Sequence, residues 1–79
     1  MDRNAAGIKA FEMLAEAQQD GSNEQDNAAG VLGISTYDTV TLVRLEGDRY
    51  DVADNGDAAA DLNEHEVIGV LRDYLMDHN

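Results

Sequence analysis

The stretch TVTLVRLEGDRYDVAD, residues 39 to 54, constrains the fold more than any other part of the chain, because apolar residues recur there at alternate positions and many are β-branched. This pattern predicts two strands joined as a hairpin that turns at Gly47-Asp48. A two-residue turn there sets Leu45 opposite Tyr50 and Val43 opposite Val52 on an apolar face, with Glu46 opposite Arg49 and Arg44 opposite Asp51 on the other. Each opposite-charge pair across such a ladder contributes ~0.2–1 kcal/mol. Two strands alone are marginal in water, so helices have to cover them or a second chain has to extend them.

The flanks supply helices. Residues 3 to 19 place Ile8, Phe11, Leu14, Ala15 and Gln18 on one face, with Lys9, Glu12 and Glu16 along a polar stripe. The remaining face, Ala6, Ala10, Met13 and Ala17, is small enough for another helix to approach closely, and it is the candidate face for a homodimer. Gly21 suits a helix C-terminus, and Ser22 with Gln25 forms a capping-box pattern that starts a second helix over 23–32. The last helix, 64–77, has the clearest start: Asn63 is followed three residues later by Glu66, and Leu62 precedes the cap. Its apolar face is Val67, Val70, Leu71, Tyr74 and Leu75. The expectation is one α+β domain over 1–79, in the order α-α-β-β-α, with an antiparallel β-hairpin covered by helices.

Composition narrows the function. With no cysteine and no proline, the chain has neither disulfides nor thiolate-held metals, which fits a reducing, cytoplasmic setting. Its start is broken by charges, unlike a signal peptide, and no run approaches the ~18 apolar residues of a membrane span. The formal charge of -12, from 17 acids against 5 bases, repels nucleic acid and anionic lipid. Basic protein surfaces are the expected partners, the nucleic-acid clefts of other proteins among them. A second reading stays open: Asp outnumbers Glu 11 to 6 and Lys9 is the sole lysine, as in the surfaces of salt-loving organisms, which would make this a small halophilic protein that dimerises or regulates.

Near-motifs fail at indispensable positions. A calcium loop with Gly56 sixth begins at Asp51, but its third residue is Ala53 and its twelfth, which must be a bidentate acid, is Leu62. HEVIG, 65 to 69, has Gly69 where a zinc-protease helix needs its second histidine, which leaves His65 as an exposed helix residue and His78 in a fraying tail. GISTY, 33 to 37, has Tyr37 where a nucleophile elbow needs glycine. No catalytic residue, metal site or cofactor is expected, and the chain is expected not to be an enzyme.

Two resemblances remain. AAGVLGIST, 28 to 36, resembles the second helix and turn of a helix-turn-helix, with Ala29, Leu32, Gly33 and Ile34 at its key positions. That likeness implies a recognition helix over 36–46, although TYDTVTLVRL is strand-like and Arg44 is its single base. In size, charge, lack of cysteine and general build, the whole chain resembles the small acidic phage-encoded inhibitors of the DNA-mimic and anti-CRISPR kind. This second resemblance implies a non-enzymatic viral inhibitor that fills a basic cleft. The carboxylates able to do so are Asp54, Asp57, Asp61, Glu64, Glu66, Asp73 and Asp77. Along the last helix Asp73 and Asp77 are ~6 Å apart and Glu66 ~10 Å from Asp73, close to phosphate spacing along a strand.

Overall fold

In a computed structural model, which describes residues 1–19 and 30–78, the chain is an α+β domain of two helices and a four-stranded antiparallel sheet. The elements run α1 (Arg3–Gln19), β1 (Val31–Tyr37), β2 (Val40–Leu45), β3 (Arg49–Asp54), β4 (Asp57–Leu62) and α2 (Glu64–Met76). The strands form a meander in the order β1-β2-β3-β4, and α1 lies against β1 and β2 while α2 lies against β3 and β4. Both helices therefore share one face of the sheet and also pack on each other.

The hairpin is present, with two more strands flanking it. Most of the second helix expected over 23–32 lies outside the described residues, but its end is strand: Val31 and Leu32 open β1. The helix-turn-helix likeness fails for the same reason, since 36–46 holds the end of β1, a turn and β2. β4 was not expected, because DAAADL lacks β-branched residues and its alanines favour helix. It is a strand because Asn55-Gly56 makes a two-residue turn after Asp54, with Asn55 at φ 55°, and feeds the next residues onto the free edge of β3.

The register of the hairpin is shifted by one residue from the expected one. Leu45 faces Arg49, Arg44 faces Tyr50, Val43 faces Asp51 and Leu42 faces Val52. The turn holds three residues, Glu46 to Asp48, with Gly47 at φ 79° and Asp48 at φ 58°. A one-residue shift turns a strand over. Tyr50 and Val52 stay inside as expected, whereas β2 buries Val40 and Leu42 and leaves Val43 and Leu45 half-buried on the face away from the helices. The expected pairs of Glu46 with Arg49 and Arg44 with Asp51 do not form. Arg49 pairs with Asp61, and Arg44 Nη1 reaches the Gln18 carbonyl at 3.5 Å.

The core joins Ala6, Ala10, Met13, Leu14 and Ala17 of α1 to Val40, Leu42, Tyr50 and Val52 of the sheet and to Val67, Leu71 and Leu75 of α2. The small face proposed for a dimer is thus used within the chain, where it is closed to a second copy. Alanines at 6, 10 and 17, all fully buried, let α1 settle close onto the sheet and against α2. Of the other face, Ile8 and Phe11 point outward, 56% and 63% exposed, while Leu14 turns into the core. Tyr50 brings the one large ring into the core and accepts a hydrogen bond at its hydroxyl from Gln18 Nε2 at 3.1 Å. Capping begins both helices: the Asp2 carboxylate accepts from Ala5 N–H at 2.7 Å, and Asn63 and Glu66 form the expected reciprocal box at 2.7 and 3.0 Å.

Candidate functional site

Strand β4 runs along the edge of the sheet and α2 returns antiparallel to it, so Asp57 at the start of β4 lies near the end of α2 that carries Asp77. Glu66, Asp73 and Asp77 follow at seven- and four-residue spacing and share one face of α2. The side of α2 that meets α1 carries Glu64, Ile68 and Arg72. Asp57 stands at the start of β4 and Glu64 in the first turn of α2. These five acids are exposed, and among the described residues no salt bridge engages them. Glu66 also has a local task, since its side chain closes the capping box.

The structure gives Asp61 and Asp54 other work. Asp61 sits at φ 63° in the irregular part of the β3–β4 ladder, pairs with Arg49, and donates its backbone N–H to Asp51 Oδ1 at 3.1 Å. Asp54 is half-buried at the end of β3, where Thr39 Oγ1 donates to it at 2.5 Å and His78 Nε2 lies 2.9 Å away. The other ring nitrogen, His78 Nδ1, lies 2.8 Å from Asp38. With a carboxylate at each ring nitrogen, these contacts favour the imidazolium, the form that can donate on both sides. The hydrogen bond to Asp54, then that to Asp38, raises the His78 pKa above its ordinary value, and the Thr39 hydroxyl, then His78, lowers that of Asp54.

His78 is therefore no fraying tail. It is a clasp that ties the C-terminal end of α2 to the β1–β2 turn and to β3, and its carbonyl also accepts from the amino group of Met1. Sequence reasoning missed this cluster because His78 lies 24 to 40 residues from its partners and no local pattern links them. Its hydroxyl, imidazole and carboxylate resemble a nucleophile relay in kind alone. Thr39 Oγ1 donates to Asp54 and lies 3.5 Å from Nε2, which faces the Asp54 carboxylate at 2.9 Å and not the hydroxyl. Among the described residues no group of three metal-ligating side chains forms.

His65 is exposed at the start of α2. Among the described residues, no helix is long and apolar enough to cross a membrane. Compared with known proteins, the chain matches no family model, no curated protein and no solved structure.

Proposed function

We propose that this protein works by binding and without catalysis, as an acidic inhibitor whose β4–α2 flank occupies a basic nucleic-acid-binding cleft of another protein, in the manner of anti-CRISPR or anti-restriction inhibitors. The observation that carries this reading is the flank itself: Glu66, Asp73 and Asp77 share one face of α2, with Asp57 near its C-terminal end, all of them exposed, and no salt bridge among the described residues neutralises them. Carboxylates placed along a rigid strand edge and helix compete for the same Lys and Arg side chains that hold phosphates, and their field steers such a cleft towards them. The cytoplasm is the setting assigned, where such clefts operate and a chain without cysteine needs no oxidising compartment.

Capture of partners from a host lysate, identified by mass spectrometry, followed by competition with DNA or RNA for the partner found, tests the proposal. The expected result is competition that weakens as salt rises and is lost when Asp57→Asn, Asp73→Asn and Asp77→Asn are combined. A chain that competes with nucleic acid for no basic partner at any salt would not be such an inhibitor. The halophilic alternative makes a different demand, that the chain folds fully only in concentrated salt.

A further inference from the structure

The outer surface of the helix layer differs from the rest of the molecule. A cavity of about 490 Å³ opens between Arg3, Gly7, Ile8 and Phe11 of α1 and Arg72 of α2. A second, of about 620 Å³, opens on the other side of Phe11, against His65, Ile68 and Arg72. Phe11, 63% exposed, is a wall of both, and Ile8 beside it is 56% exposed. A protruding ring next to a hollow on one surface is the self-complementary arrangement that a two-fold interface uses, since each copy inserts its ring beside the ring of the other.

Charge selects the occupant. Two of the chain's five bases, Arg3 and Arg72, line these cavities, and Glu64 is the single acid that does so. Arg72 Nε is buried without a hydrogen-bond partner, and among the described residues no salt bridge engages Arg3 or Arg72. The exposed part of α1 that would enter the groove carries carboxylates for these donors, because Ile8 and Phe11 are followed by Glu16 and by Glu12, which within the chain pairs with Lys9 at 3.1 Å. For a chain of charge -12, the two arginines of this groove lower the repulsion that a second copy would meet there.

We infer that the α1–α2 groove is the interface of a homodimer, with Phe11 and Ile8 of each copy seated in the groove of the other and the acids of α1 reaching Arg3 and Arg72. The proposed face is opposite to the small-residue face buried in the core, and it leaves the acidic flank of each copy free. It stands independently of the inhibitor reading, because its test requires no partner protein.

Sedimentation or light scattering across a concentration series reads the assembly directly. The expected result is twice the chain mass, with the dimer strengthened by moderate salt, and Phe11→Glu shifting it to monomer while circular dichroism stays unchanged. Since the chain has no cysteine, Ile8→Cys adds a second readout: mild oxidation captures it as a covalent dimer, whereas Ala53→Cys, exposed on the far face of the sheet, is not captured. Monomer at every concentration and salt would overturn the inference. So would a dimer indifferent to Phe11→Glu, or one captured through Ala53→Cys in place of Ile8→Cys. Should Phe11→Glu fail to fold, the two cysteine variants decide the question alone.

Discussion

At His78 the chain makes a testable statement about pH. Its raised pKa means that the folded state holds this proton more tightly than the unfolded state does, so its contribution is complete below the ordinary imidazole value of 6.5. That contribution is lost as pH rises through the higher folded value. Asp54, with its pKa lowered, has the opposite sign: its contribution is complete above the ordinary 3.8 and is lost as pH falls through the lower folded value. The clasp is therefore fully formed between 3.8 and 6.5. Urea midpoints should fall on the alkaline side of this window, where side-chain carboxylates are already ionised and cannot account for the change. His78→Gln should flatten that alkaline limb, and His65→Gln, at an exposed position, should leave it in place. Equal alkaline slopes in the wild type and His78→Gln would remove the clasp from the account of stability.

The hairpin shows, at the level of one element, how much the sequence discloses and where it stops. Alternation marked the strands correctly, but alternation alone leaves open which of two registers is used, and the turn decides between them. Gly47 at φ 79° lets Glu46 to Asp48 form a three-residue loop, and β2 turns over as a result. Leu42→Ala should then cost ~2–5 kcal/mol, and Val43→Ala, on the half-buried outer face, well under ~1.5 kcal/mol, both by urea unfolding. Gly47→Ala should cost ~1–2 kcal/mol from backbone strain alone, because the space around it is open. Gly56→Ala, in similarly open space and without a positive φ, is the control and should be close to neutral. Helix α2 was legible because its start is written locally, in Asn63 and Glu66. Strand β4 was not, since pairing to β3 rather than propensity makes DAAADL extended, although Asn55-Gly56 was a turn signal in plain view. For α1 the helix was legible and its inner face was not: alanine is silent about direction, and close packing chose the small side over the larger one. The acids of the flank could be found by charge, but which of them were engaged depended on Arg49 and His78, partners that only the fold brings near.

Across the whole molecule, the uneven placement of charge links stability to binding. Neighbouring carboxylates on α2, ~6 and ~10 Å apart by helix geometry, repel one another across distances comparable to the Debye length of ~10 Å at 0.1 M salt. Raising salt from ~0.01 M to ~1 M shortens that length from ~30 to ~3 Å, so the melting temperature should rise with salt. Combining Asp57→Asn, Asp73→Asn and Asp77→Asn changes the formal charge from -12 to -9, since three negative charges are removed. This variant should melt higher than the wild type at low salt and respond less to added salt. Glu66 is left in place because its loss would also open the capping box of α2. The cations of a basic cleft would act on the same repulsion as salt does, but at fixed positions and at far lower concentration. A short cationic peptide rich in arginine, titrated at low salt, should therefore raise the melting temperature of the wild type and raise that of the neutralised variant much less. An equal rise in both would place the cation-binding surface away from β4 and α2, and with it the inhibitory face.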